Sequence, residues 1–293
     1  MHDRGEQSTE RPPFFMRYKG ELYDLSGHTV MGIVNLTPDS FHAPSRAATD
    51  RQIIEAVGKH IDGGAQIIDI GGYSSRPGAD EVDPKLETFN ILWGIERIKS
   101  AFGENMPVSI DTFRASVARK AVEHYGAVIV NDITAGEGDP EMLDVVAEYK
   151  LPYIAMHMRG TPATMQSMTD YDDVVGEVID YFCRRMELFG EKGVEDVIID
   201  PGFGFAKTAE QNFELLRRLD EFGLFRRPVL AGLSRKSMIW RTLGGTPADA
   251  LTGTVALNWA ALERGANILR VHDSREASET IKLFEAMQKT AND

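Results

Sequence analysis

Eight short polar motifs carry the side chains that can do chemistry in this sequence. They are NLTPDSF (Asn35–Phe41), DIGGYSSRPG (Asp69–Gly78), SIDT (Ser109–Thr112), ND (Asn131 and Asp132), MHMRG (Met156–Gly160), DPGFGF (Asp200–Phe205), GLSRK (Gly232–Lys236) and RVHD (Arg270–Asp273). Each sits at or just beyond the C-terminal end of a short apolar run. In a parallel sheet that edge is where ligands bind. Gathered at one end of a barrel, the motifs would place carboxylates, amides, a lysine, arginines and a histidine around a polar, anionic small molecule.

The residue types suggest how the work is divided. Asp69, Asp111 and Asp200 end apolar runs, where a carboxylate is costly unless hydrogen-bonded or paired. In a pocket they match the N–H donor edge of a 2-amino-4-oxo pyrimidine ring. Asp111 also precedes a helical stretch, so capping competes as its role; Asp200, followed by Pro-Gly, is a less natural cap. Asn35 and Asn131 can donate and accept together, with an Asx turn as the alternative for each. Ser74, Ser75, Arg76 and Pro77 form a loop tip with hydroxyl and guanidinium donors suited to phosphate, although an exposed loop arginine is common.

Arg235 and Lys236 open a helical run, an unfavourable place for cations unless an anion compensates. Arg270 and His272 alternate across Val271 and so face one way, as a second anion-binding corner. His157, inside an apolar strand, reads as a satisfied core histidine, and Cys183 as a bystander on a helix. No HxH, HExxH or Cys/His cluster occurs, which argues against tightly held zinc. Magnesium, held by one or two protein oxygens plus substrate phosphates, fits better, with Asn35 as the candidate ligand.

Positioning these groups requires strands that alternate with helices. Short Val- and Ile-rich runs predict strands at Thr29–Val34, Gln66–Ile70, Pro107–Ile110, Ala127–Val130, Pro152–Met156, Asp196–Ile199, Pro228–Ala231 and Asn267–Leu269. Helical patterns occupy Asp50–Asp62, Pro84–Phe102, Arg114–Glu123, Pro140–Tyr149, Tyr171–Phe189, Glu210–Glu221, Pro247–Arg264 and Arg275–Met287. Glycine ends several helices just before the next strand, as in Gly63-Gly64-Ala65, Gly126-Ala127 and Gly265-Ala266. Eight such units predict an α/β fold, a (β/α)₈ TIM barrel with a short N-terminal extension. An open Rossmann-like sheet is disfavoured because no G-x-G-x-x-G follows the first strand. Residues 14–290 read as one domain behind a flexible tail of residues 1–13, with Phe14–Leu25 as a strand pair or irregular lid.

Bulk properties narrow the class. The 293 residues carry a formal net charge of −13, which argues against a nucleic-acid partner. A local basic pocket remains compatible with an anionic substrate. The single cysteine rules out a disulfide framework within the chain and points to a reducing compartment. No apolar run is long enough to span a bilayer, and the start lacks the apolar region of a secretory signal, so no membrane partner and a cytoplasmic location are expected.

The ordered set NxTPDSF, DIGG-x-S-x-RPG, S-x-DT, ND, DPGFGF, G-x-SRK and R-x-HD closely resembles the bacterial dihydropteroate synthases, folate-pathway enzymes inhibited by sulfonamides. The likeness runs from Val30 to the C-terminal helix. It implies condensation of 6-hydroxymethyl-7,8-dihydropterin pyrophosphate with p-aminobenzoate, giving 7,8-dihydropteroate and pyrophosphate. It further implies a pterin-binding set of Asp111, Asn131, Met156, Asp200 and Lys236. Asn35, Asp69, Arg76, Arg270 and His272 would form the pyrophosphate corner, with magnesium at Asn35. Phe41, Ser75, Arg76, Pro77, Phe205, Gly232 and Lys236 would surround p-aminobenzoate. Catalysis would fall to Asn35, Asp111, Lys236, Arg270 and His272. Relatives are usually homodimers through helices near the C-terminal end, and Ala250–Leu262 offers an apolar face for that.

The chain departs from many relatives at Tyr73, where they have glutamate, and at Ser75, where they have threonine. Methyl transfer from methyltetrahydrofolate to a corrinoid protein, on a similar pterin barrel, is the main alternative. It gives the SRK, R-x-H and S-x-RPG motifs no clear task. A pterin-binding protein with a decayed site is a second alternative, against which the intact Asn35, Asp111, Asp200, Lys236, Arg270 and His272 argue.

Overall fold

The computed structural model describes residues 13–36, 46–73 and 82–290, apart from the side chains of residues 46–48 and 290. A hairpin of β1 (Phe15–Tyr18) and β2 (Glu21–Asp24) leads into eight parallel strands. These are β3 (Thr29–Asn35), β4 (Ile67–Gly71), β5 (Val108–Asp111), β6 (Ile129–Asp132), β7 (Tyr153–Met156), β8 (Val197–Asp200), β9 (Leu230–Ala231) and β10 (Ile268–Val271). They pair in the order β8-β7-β6-β5-β4-β3-β10-β9. A parallel bridge between Ile199 and Val229 joins the two ends. The result is the expected (β/α)₈ barrel, which leaves no open sheet edge.

Strand residues explain how the barrel sets up its site. In β4 all five residues are buried. Ile68 and Ile70 belong to the large outer cluster shared with the helices. Ile67 points the other way, into an inner cluster with Met31, Ile129, Ile154, Ile198, Leu230 and Ile268. Side chains alternate along a strand, so the residue two positions further on shares the inner face one layer higher. Those residues are Ile33 and Met156 together with the polar or small Asp69, Asn131, Asp200, Gly232 and Arg270. A hydrophobic floor thus passes directly into a polar layer on the same face.

The hairpin closes the other end. Met16, Tyr18 and Leu25 join the inner cluster. The Tyr18 hydroxyl donates to the Met106 carbonyl and accepts from the Val108 N–H, each at 3.1 Å. Of the two readings of Phe14–Leu25, the strand pair is the one formed, and it plugs the floor of the barrel.

Around the sheet run α1 (Arg46–Asp62), α2 (Pro84–Phe102), α3 (Ala115–Tyr125), α4 (Met142–Tyr149), α5 (Val174–Lys192), α6 (Ala209–Arg217), α7 (Ser237–Thr242), α8 (Leu251–Glu263) and α9 (Ser274–Thr290). Local chemistry fixes their ends. Asp83 caps α2 and Asp173 caps α5, while Thr208 and Gln211 make a reciprocal capping box on α6. Gly126 ends α3 in the left-handed region at φ 76°, its N–H reaching Val122 O.

Two departures from expectation have local causes. Six strands run one or two residues further than their apolar runs, because parallel ladder bonds continue through residues such as Asn35, Asp111 and Asp132. The Glu210–Glu221 stretch divides at Arg218, with a 3₁₀ turn at Leu219–Phe225, and Pro247–Ala250 is likewise 3₁₀. Helix α7 is the helical run expected after Arg235 and Lys236, and it is only six residues long.

Candidate active site

Arg270, two residues beyond the floor residue Ile268, ties three strands together. Its Nε and Nη2 lie 2.7 and 2.6 Å from Asp69 Oδ2, and Nη2 lies 2.8 Å from Asp111 Oδ2. Asn131 donates its side-chain amide to the same Asp69 oxygen at 3.2 Å. Asp69 is fully buried, so it meets the opening through Arg270 rather than directly. Burial pushes the Asp111 carboxyl up to about 7, against the pull of Arg270 and with a further push from Asp69. Neither alternative role appears. Asp139 rather than Asp111 accepts the N–H of Ala115 at the start of α3, and Asn131 pairs with Asp69 instead of closing a turn.

A slot opens at Gly232. A Cβ built there would lie 3.8 Å from Lys236 Nζ and 3.9 Å from Asp200 Oδ2. The absent side chain therefore leaves room between an ammonium and a carboxylate. Asp200 Oδ1 is already used, accepting the Gly202 N–H at 2.8 Å, so Oδ2 is the oxygen turned to the slot. Lys236 also donates to Phe203 O and lies 4.9 Å from the centre of the Phe205 ring. Burial lowers its pKa to about 8, with Asp200 pulling it back up. Tyr73, Ile133, Met156, Met158, Met165 and Ala206 form an apolar cluster, with Phe113 and Phe205 packed against it. A flat heterocycle can rest on such a wall while its polar edge meets Asp200 and Lys236.

Sequence reasoning passed over Lys207, which lies close to this slot. Lys207 is buried, with Nζ 3.0 Å from His157 Nδ1, 3.0 Å from Gly202 O and 3.1 Å from Phe205 O. Burial lowers its pKa to about 7. Burial also holds His157 well below its usual range, so the neutral ring accepts from Lys207. His157 is thus the satisfied histidine it was expected to be, and its partner ties down the DPGFGF loop. Gly202 permits the tie. Its φ is +75°, and any Cβ would overlap the His157 carbonyl oxygen.

At the rim, the Ser234 hydroxyl accepts the His272 N–H at 3.2 Å and lies 3.1 Å from His272 Nδ1. Donation from that hydroxyl to Nδ1 would place the His272 proton on Nε2, as a donor. Surrounding protein and then the Arg270 charge lower its pKa to about 4, so the ring is neutral at pH 7. Arg235 is compensated from within: it makes two 2.8 Å bonds to Asp273. Asn35 ends β3, and its Oδ1 lies 3.8 Å from the Cβ position of Gly71, where Asp111 Cβ also approaches at 3.7 Å. Among the described residues no group of three or more His, Cys, Asp or Glu can hold a metal. The expected Phe41, Ser75, Arg76 and Pro77 lie outside the described residues.

Known proteins resemble this chain in sequence and in fold. The family model for pterin binding enzymes matches residues 31–272. A dihydropteroate synthase of Synechocystis is 43% identical over 270 residues, covering 91% of this chain and 92% of that protein. The structure of Xanthomonas albilineans dihydropteroate synthase with 4-aminobenzoic acid superposes with a TM-score of 0.87 at 36% identity, covering 94% of this chain and 99% of the other. The Yersinia pestis dihydropteroate synthase in complex with a sulfonamide drug does so with a TM-score of 0.86 at 35% identity, covering 94% and 100%.

Proposed function

The chain belongs to the pterin-binding enzymes, within the dihydropteroate synthases, and from that premise we propose how its own residues divide the reaction. It joins 6-hydroxymethyl-7,8-dihydropterin pyrophosphate to p-aminobenzoate, forming 7,8-dihydropteroate and releasing pyrophosphate. The observation that carries the residue assignment is the Gly232 slot between Asp200 Oδ2 and Lys236 Nζ. A dihydropterin presents ring and amino N–H donors beside a carbonyl acceptor. Asp200 takes the donors and Lys236 donates to the carbonyl, with Asn131 and Asp111 further round the layer. Met156 and Phe205 flank the ring plane, and p-aminobenzoate lies beyond Phe205 and Lys236.

Substitution breaks the bond from the pterin methylene carbon to oxygen and makes one to the aniline nitrogen. Asp111 and Asp200 stabilise positive charge as it develops on the pterin methylene. Arg270 and the Nε2–H of His272 hold the departing pyrophosphate. The aniline nitrogen is neutral at pH 7 and attacks without a strong base; its proton leaves after the C–N bond forms. Hard oxygen donors suit magnesium, and we assign Asn35 Oδ1 as its protein ligand. Magnesium there would neutralise the pyrophosphate charge.

We further propose a cytoplasmic homodimer. Helix α8 supports the dimer, since Leu251, Val255 and Leu257 stay partly exposed on an apolar helix. The lone Cys183 supports the compartment, and no described helix is long and apolar enough to cross a membrane. Methyl transfer finds no support among the relatives.

His272→Ala should weaken the pyrophosphate-bearing pterin about tenfold, and bare hydroxymethyldihydropterin less than twofold. One hydrogen bond to a charged group is worth about that factor. Calorimetric titration of both ligands into both proteins measures it. An equal loss for the two ligands would mean that His272 supports the pterin slot or the barrel instead.

A further inference from the structure

We propose that Tyr73 is a positioning residue for the reaction, its phenol holding the Asp111 carboxylate toward the pterin. The proposal rests on the pterin reading of the site above. Tyr73 follows β4 by two residues, and its hydroxyl donates to Asp111 Oδ1 at 3.1 Å. Arg270 takes the other oxygen, Oδ2, at 2.8 Å. One donor comes from the end of β4 and the other from β10, so both carboxylate oxygens are fixed from different sides. A single donor would leave the group free to turn about its Cβ–Cγ bond.

Three further features fit this role. The backbone of β4 lacks a side chain at Gly71, and Asp111 Cβ comes within 3.7 Å of the space a Cβ would fill. Asp111 is thus packed against bare backbone, with Tyr73 beyond it. The phenol ring is itself held in place, meeting Phe113 edge-on with ring centres 5.3 Å apart. It is 8% exposed and shares its apolar cluster with Met156 and Ile133. Burial, and then the Asp111 charge, raise the phenol pKa well above the usual value. The hydroxyl keeps its proton, and so donates, at every working pH. A carboxylate oxygen has more than one lone-pair direction, so Oδ1 can accept from Tyr73 and a substrate N–H together.

Tyr73→Phe keeps the ring and removes only the donor. The test is steady-state formation of dihydropteroate by wild type and variant from about pH 5 to about pH 9, varying the pterin pyrophosphate. The phenol bond favours ionised Asp111, so its loss raises that pKa, and the acidic limb of kcat/KM should move to higher pH. At pH 7 kcat/KM for the pterin substrate should fall about tenfold, with KM for p-aminobenzoate within about twofold. A purely structural role would leave the limb in place. An unmoved limb with unchanged kcat/KM overturns the proposal. So does tighter pterin binding by the variant, which would mean that the phenol occupies the pterin's own place. The wild-type control separates the two claims. If wild type makes no dihydropteroate, the functional reading fails, and the inference that rests on it fails with it.

Discussion

Arg270→Ala should abolish measurable turnover and cost the fold on the order of 3–5 kcal/mol. The guanidinium bonds Asp69 and Asp111 at 2.6–2.8 Å. Its removal leaves two carboxylates facing each other in the barrel, Asp69 fully buried. Breaking a buried pair costs far more than the pair contributes in net stability, because the carboxylates lose their bonded counter-charge and keep only the neutral donors Asn131 and Tyr73. On the proposed assignment, pyrophosphate would lose the Arg270 contact at the same time. Denaturant unfolding and turnover are both needed to see this. Adding Asp69→Asn to the variant should recover part of the stability but none of the activity. A variant with wild-type stability would show that the clamp is not part of the folded protein's support.

Asp200→Asn should have the largest effect on pterin affinity while leaving the fold intact. Oδ1 accepts from Gly202 N–H, and an amide oxygen does that equally well. The other position then becomes an NH₂ turned into the Gly232 slot, donor facing donor. Lys236 also loses its counter-charge. Truncating such a charged, desolvated pair costs about 2–5 kcal/mol of binding, roughly 30-fold to several thousandfold. Titration with hydroxymethyldihydropterin measures it. Unchanged affinity would place the ring elsewhere.

Much of this site is legible in the sequence because strand period and barrel layers are the same thing. Ile67-x-Asp69, Ile129-x-Asn131, Ile198-x-Asp200, Leu230-x-Gly232 and Ile268-x-Arg270 each place a polar or small residue directly above an inward apolar one. Pairings between motifs are not legible in the same way. Nothing local says that Arg270 bridges the ends of β4 and β5. The partner of Arg235 is Asp273, in a different motif. Lys207 went unnoticed for the same reason. It reaches His157, fifty residues away, only because Gly202, Gly204 and Ala206 all adopt positive φ and fold the loop back. Cavity-forming absence is equally hard to read. Only the family resemblance drew attention to Gly232, beside p-aminobenzoate; nothing local in the sequence shows the space it leaves between Asp200 and Lys236.

The most direct measurement is product formation by the purified protein. Dihydropterin pyrophosphate, p-aminobenzoate and magnesium are supplied together, and then with each omitted in turn, with mass detection of dihydropteroate and a parallel assay for pyrophosphate. The expected result is one pyrophosphate released per dihydropteroate formed, with neither appearing when either organic substrate is left out. Pyrophosphate release without aminobenzoate, or no dihydropteroate from a folded protein that binds both ligands, would contradict the assignment of this site to C–N bond formation.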